Sequence, residues 1–557
     1  MTAMTINKKH KRNNPFDVWN VVSFVIIGLY GLFLLYPLGR LFYSSVFMDG
    51  QFTLANFKQF FDNQYYITSI WHSFVISISV TLIALAIGIP MAYFYQMYEI
   101  KGKSLLQILI ILCSMQAPFI GGYAWIDLFG RSGRITMFLK GFGLKVPDIY
   151  GFLGIIIVEA LQLFPLVFMY VCGALKNIDN TLLEASDNLG CSGFKRFLKV
   201  VVPLCMPTVL ASSLLVFMRA FSDYGTPLII GEGYITFPVI IVKAYFNEVS
   251  TNKNFGAAVS IIGIVITTIV FLIQTYANEK FRFTMNALHP IERKKPHGFL
   301  AVFANLFCWL LSLIAFAPQV YVIYSSFLKT NGKLFVYGEY SLDSYKYAFS
   351  HLTKAIPNTF TIGIAALVLT VVIAVLIAYL VVRRSNPLNK TIDTVSMVPY
   401  LIPGSVVGVA LVIAFNQRPL MLAGTAAIMV IALIIRRMPY TIRSSVAILQ
   451  QIPLSIEEAS ISLGASKFKT FFGITLPMMA NGVLSGAILS WITIITELST
   501  AVILYNYKTV TLTMAVYNYV TRGSYGYAAA YATILTLTTI VSFGIFMLVS
   551  KDKEITF

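Results

Sequence analysis

Long apolar runs separated by short polar stretches dominate this chain. They cover residues 19–46, 70–96, 104–129, 151–175, 204–230 and 255–277, then 298–327, 357–382, 391–416, 419–437, 478–505 and 528–550. A helix rising ~1.5 Å per residue needs about 20 apolar residues to cross a hydrocarbon core of ~30 Å. Each run therefore predicts one transmembrane helix. Membrane-crossing barrel strands would alternate apolar and polar positions, and these runs do not. The tenth run has the least defined ends, starting after Arg418-Pro419 and reaching Arg436-Arg437. The fold class expected is an all-α polytopic membrane protein of about twelve transmembrane helices.

The pattern then repeats. Phe74–Tyr93 and Phe360–Tyr379 share their apolar spacing and both end in Ala-Tyr. Glu184–Pro203 (EASDNLGCSGFKRFLKVVVP) and Glu458–Pro477 (EASISLGASKFKTFFGITLP) are identical at ten of twenty positions. The chain is read as two homologous six-helix halves, 19–277 and 298–550, with tails at 1–18 and 551–557 and a linker at 278–297. Pro290, Pro296 and a run of charges suit that linker to a solvated connector. An even number of spans per half keeps both halves in one orientation, a parallel repeat.

Composition agrees. Apolar residues make up 57% of the 557 positions and charged residues 11%, against roughly 25% charged in soluble domains. The formal charge of +18 would suggest nucleic acid in a soluble protein, but membrane proteins gather Lys and Arg in cytoplasmic loops, so no nucleic-acid partner is expected. The N-terminal tail (Lys8, Lys9, Lys11, Arg12), the 278–297 linker and the 383–390 loop (Arg383, Arg384, Lys390) are basic and fall on one side of a twelve-span count. That side, with both termini, is expected in the cytoplasm. The 130–150 loop disagrees, because Arg131, Arg134, Lys140 and Lys145 fall outside. The first apolar run is too long for a signal-peptide core and reads as a retained span. Cys113, Cys172, Cys191, Cys205 and Cys308 form no metal spacing and read as packing residues.

The duplicated polar segment lies between the fourth and fifth spans of each half. It reads as a short helix, a turn at Gly190 or Gly464, then a second short helix ending at Pro203 or Pro477. Glycine tolerates φ > 0 at such a turn. The two copies resemble the EAA loop of type I binding-protein-dependent ABC importer permeases, EAA-x3-G-x9-I-x-LP. The second copy has Glu458, Ala459, Ser460, Gly464, Ile474, Leu476 and Pro477; the first has Glu184, Ala185, Ser186, Gly190, Val200, Val202 and Pro203. The resemblance implies a fused permease subunit in which loops 182–203 and 454–477 are coupling helices. Each would dock on one of two copies of a cytoplasmic ABC ATPase, through Glu184, Ala185, Gly190, Glu458, Ala459 and Gly464. It also implies a separate extracytoplasmic substrate-binding protein and a place in the bacterial cell membrane.

ATP hydrolysis is not expected here, because no G-x4-G-K-[ST] occurs and the Gly102-Lys103-Ser104 fragment has Met97 where the first glycine belongs. No cofactor is expected in the chain, ATP-Mg being held by the partner, and neither a catalytic constellation nor a metal cluster is present in the sequence pattern. Asp223 and Glu497 sit in apolar surroundings, equally far beyond Glu184 and Glu458. Such acids normally face a bundle interior or a water-filled path. With Tyr224 and Thr500 they are expected to line the translocation path; the bland alternative is helix-to-helix bonding, with Arg219 as partner for Asp223. The segments Asp223–Thr226 and Glu497–Thr500 resemble those of the iron(III)-type importer group, whose relatives carry organophosphonates and sugar phosphates. The alternative from another class is a twelve-helix secondary transporter.

Overall fold

The computed structural model describes residues 18–116, 118–246, 253–280, 298–331, 334–351, 354–384 and 386–549, with isolated positions 291, 293 and 295. The basic N-terminal tail, most of the 278–297 linker and the 551–557 tail lie outside the described residues.

Among the described residues, eight helices are long and apolar enough to cross a membrane: Val18–Val46, Gln64–Met97, Phe152–Lys176, Asn254–Tyr276, Gly298–Ser326, Ala355–Arg383, Lys467–Ile495 and Tyr525–Ile545. Two more spans are bent pairs, Gly193–Leu204 with Met206–Ser222 (75°) and Pro387–Leu401 with Gly404–Phe415 (109°). The third predicted span is likewise two shorter helices, Lys103–Ser114 and Pro118–Phe129. Proline explains the sharpest of these breaks. It disfavours helical backbone in the residue before it, and Ile402, preceding Pro403, is extended at φ −88°, ψ 127°.

Three predicted boundaries are corrected. The tenth helix runs Ala426–Gln451 rather than 419–437. Arg436 and Arg437 do not end it but sit inside it, half-buried and paired with Glu497. The fifth and eleventh spans end at Ser222 and Ile495, before separate short helices Gly225–Ile230 and Ala501–Leu504. The second short helix of each polar segment does not stop at proline. It passes through a π-turn, Phe197–Val201 or Phe471–Thr475, into the next span. The wider π-turn absorbs the missing proline N–H.

Among the described residues the two halves share their element order, apart from the π-turn Gly31–Leu35 and the short helix Arg134–Gly141 of the first half. In each, a long first helix leads into a two-stranded antiparallel hairpin, Phe47–Met48 with Gln51–Phe52 and Leu328–Asn331 with Leu334–Tyr340. A short outer helix follows, then the core helices. The first helix of each half is exchanged. Trp19 packs on Tyr379 and Phe471 of the second half, at centroid distances of 4.4 and 5.1 Å, and Ser23 Oγ donates to Asn389 Oδ1 at 2.8 Å. In return, Trp309 Nε1 donates to the Lys101 carbonyl at 2.9 Å, and Asn305 Oδ1 accepts from Lys101 N at 2.9 Å. The halves that the sequence divides at the linker are therefore interlocked in space.

Candidate functional site

Between the halves lies a polar cavity of about 190 Å³. Its lining includes Gln116, Glu159, Gln162, Arg219, Ser222 and Asp223 from the first half, and Tyr400, Arg436, Arg437, Tyr440, Thr496 and Glu497 from the second. The two equivalent acids reach it for the same local reason. Each stands where a span breaks, and each accepts backbone N–H groups at the turn into the short helix that follows. Asp223 accepts from Gly225 N at 3.2 Å and Thr226 N at 3.1 Å. Glu497 accepts from Thr500 N at 3.0 Å. A carboxylate at a helix start satisfies donors that the helix itself leaves free.

Beyond that shared cap the halves differ. Glu497 is 5% exposed and is paired with both Arg436 and Arg437. Arg436 also donates to Thr500 Oγ1 at 3.0 Å, and Thr500 Oγ1 donates to the Gly404 carbonyl at 3.1 Å. A Cβ at position 404 would strike the Arg436 guanidinium, so glycine is what allows that arginine across the Pro403 bend. Arg219 donates to Tyr440 Oη at 3.3 Å across the interface between halves, rather than to Asp223.

Of the four residues expected to line a path, Asp223 and Glu497 line the cavity. Tyr224 points elsewhere, with its hydroxyl 3.1 Å from that of Tyr517. Thr500 supports the arginine pair without lining the cavity. Sequence reasoning missed Glu159, although it lies in an apolar run as uninterrupted as those around Asp223 and Glu497. Asp127 was missed likewise; Tyr321 donates to it and it lies 3.5 Å from Tyr337 Oη. Arg436 and Arg437 were visible but read as the end of a span.

The duplicated loops occupy equivalent places. Asn180–Asn188 and Leu454–Ser462 are short helices, each followed by a left-handed glycine, Gly190 at φ +74° and Gly464 at φ +91°. Glu184, Ala185, Glu458 and Ala459 are exposed. The residue before each glycine is also exposed and apolar: Leu189 is 85% exposed and Leu463 89%. Phe194 and Phe468, at matching positions, are 74% and 56% exposed. Paired apolar knobs on a polar loop are a signature of contact with another protein. The loops are anchored differently. Glu457, not Glu458, ties its helix to the Ala355–Arg383 helix, accepting from Arg383 Nε at 2.8 Å. In the first half Arg196 pairs with Asp187 at 2.6 Å.

On the face opposite these loops, the 130–150 segment forms a short helix, Arg134–Gly141. Arg131 is bound by Asp148 at 3.1 Å and by both oxygens of Glu232. The Glu232 and Asp148 carboxylates hold its guanidinium above its ordinary range. Arg134 lies 3.2 Å over the Tyr337 ring. Among the described residues no three His, Cys, Asp or Glu converge as a metal cluster.

Comparison with known proteins gives a consistent picture. The family described as binding-protein-dependent transport system inner membrane component matches twice, over residues 84–283 and 347–554. Both matches begin after the exchanged first helix of their half. The ferric transport system permease protein FbpB of Actinobacillus pleuropneumoniae is 28% identical over 549 residues, covering 95% of this chain and 77% of that protein. The Fe(3+)-transport system permease protein FbpB 2 of Haemophilus influenzae is 25% identical over 84% of this chain and 87% of that protein. The spermidine/putrescine transport system permease protein PotB of the same species is 29% identical over 42% of this chain and 83% of its own length. That coverage is the size of one half.

Proposed function

We propose that this chain, which belongs to the family of binding-protein-dependent transport system inner membrane components, forms the whole translocation pathway of a bacterial importer of iron(III). It is a multi-pass ABC importer permease with two fused copies of the family's domain, and family membership removes the secondary-transporter alternative. The observation that carries the reading is the pairing of one shared polar cavity with two equivalent, exposed loops. One cavity is what a single pathway needs. Two loops are what a pair of ATPase subunits needs.

In this reading ATP-Mg is bound and hydrolysed by the partner subunits, and Leu189 and Leu463 seat in their clefts. Rigid short helices at the ends of long spans transmit ATPase closure as a rigid-body movement, opening the cavity alternately to the two sides. The chain sits in the inner membrane with both termini cytoplasmic, and the face carrying Arg131 and Arg134 receives a loaded extracytoplasmic binding protein. Iron(III) as cargo is supported by the names of the full-length relatives. Three guanidiniums in the cavity favour an organophosphonate or a sugar phosphate as the second reading.

The test is uptake into proteoliposomes that hold the permease with its ATPase. Radiolabelled iron presented on the binding protein is expected to accumulate only with internal ATP. Accumulation of a phosphonate or a sugar phosphate instead, with no iron taken up, overturns the cargo assignment.

A further inference from the structure

We infer that Glu159 and Asp223, on the first-half wall of the cavity, form a transient subsite for a hard metal cation. The inference rests on the reading of this cavity as the translocation pathway. Its starting point is Glu159, which is 1% exposed, lines the cavity, and has no hydrogen-bond partner for either carboxyl oxygen among the described residues. Burying a carboxylate without a compensating partner is strongly unfavourable, and this one lies where cargo would pass. Asp223 lines the same wall. Its two oxygens each accept one backbone N–H, which leaves each with further acceptor capacity.

Apart from Arg219, the remaining polar side chains on this wall are of matching character. Gln116, Gln162 and Ser222 offer amide and hydroxyl oxygens. Gln162 Nε2 is taken up by the Gln116 carbonyl at 3.1 Å, so its oxygen is the atom left to bind. No thiolate or imidazole lines the cavity. Apart from the Met115 and Met218 thioethers, the donors on this wall are oxygens, and carboxylate and amide oxygens suit hard cations over soft ones.

Comparison of the two halves argues that this wall faces a ligand. The interval from Glu184 to Glu458 also separates Pro165 from Pro439, each inside its helix. In that register Leu433 occupies the place of Glu159, while Arg436 and Arg437 occupy those of Gln162 and Leu163. A residue needed only for helix packing would serve both halves. Here the acids without cationic partners belong to the first half, as does Arg219, while Arg436 and Arg437 belong to the second half with their partner Glu497.

The arginines around the cavity also explain why the cation would not be trapped. Arg436 and Arg437 share one carboxylate, and Arg219 is bonded to a tyrosine hydroxyl. Their surplus positive charge opposes a bound cation. Passage through a pathway requires a site good enough to enter and weak enough to leave. Two carboxylates in a cavity that also holds three guanidiniums meet that condition, where a resident metal site would need a denser ligand set.

The test uses the purified permease–ATPase complex in lipid nanodiscs and Tb³⁺ alone as the probe, with Tyr400 and Tyr440 in the cavity wall as sensitisers. Wild type is expected to show saturable sensitised luminescence. Glu159→Gln, which keeps shape and removes charge, should weaken the apparent affinity about tenfold, the scale on which loss of groups at a metal site lowers affinity. Asp223→Asn should act in the same direction. Glu339→Gln, in the outer hairpin, should titrate like wild type. In proteoliposomes, Glu159→Gln should slow iron uptake while binding-protein-stimulated ATP hydrolysis continues. An unchanged Tb³⁺ titration in Glu159→Gln overturns the subsite, even if iron is imported normally. A Glu159-dependent Tb³⁺ signal in a complex that imports no iron sustains the subsite and overturns the cargo assignment instead.

Discussion

Single residues set the geometry of both functional regions. Gly190 and Gly464 hold left-handed backbone at the turn of each exposed loop, and no atom lies within 4 Å of a Cβ built at either. A valine there meets backbone strain and no clash. The expected cost is of order 1–3 kcal/mol, too little to prevent insertion but comparable with a coupling free energy. Gly464→Val and Gly190→Val should assemble with the ATPase and yet lose most binding-protein-stimulated hydrolysis, measured in proteoliposomes with and without loaded binding protein. Full stimulation in both variants would remove the loops from the coupling path. The glycines were legible because the two copies of their motif keep one spacing. Glu159 was equally visible as a letter, but its meaning depends on a cavity whose other wall comes from the second half. Leu189 and Leu463 escaped notice for a different reason: an apolar residue in a mostly apolar chain signals nothing until its exposure is known.

The helices obey the apolar pattern where they are straight and depart from it where prolines and charges meet. Runs such as 70–96 and 357–382 correspond to the continuous helices Gln64–Met97 and Ala355–Arg383. The run at 391–416 bends by 109° before Pro403, and hydropathy does not register a bend. The Ala426–Gln451 helix was misjudged because charge normally ends a span. Its arginines are tolerated inside because Glu497 answers them from the neighbouring helix break. The exchange of first helices was hidden as well, since no pattern within one helix says which half it packs on. That exchange has a measurable consequence. Trp19 is 3% exposed, wedged against Tyr379 and Phe471 beside the second exposed loop. Trp19→Ala should cost roughly 3–5 kcal/mol, as aromatic deletions in cores do. The expected outcome is a clearly lower thermal midpoint for the detergent-solubilised complex. A midpoint equal to wild type would mean that the first helix contributes little to the second half.

At the scale of the whole molecule, duplication followed by divergence describes what the chain has become. The element order, the helix-break caps, the π-turns and the left-handed glycines recur in both halves. The cavity chemistry does not, with carboxylates lacking a cationic partner in the first half and an arginine-paired carboxylate in the second. The two-fold architecture was readable from the repeated polar segment alone, because a loop that must meet the same partner twice keeps its pattern. The asymmetric interior was not, because it is assembled from residues far apart in sequence. The central claim is that one such chain supplies both coupling loops and the complete pathway. Native mass spectrometry of the purified transporter tests it most directly. The expected assembly is one copy of this chain with two ATPase subunits; a complex of two copies of this chain with two ATPases would contradict the fused reading.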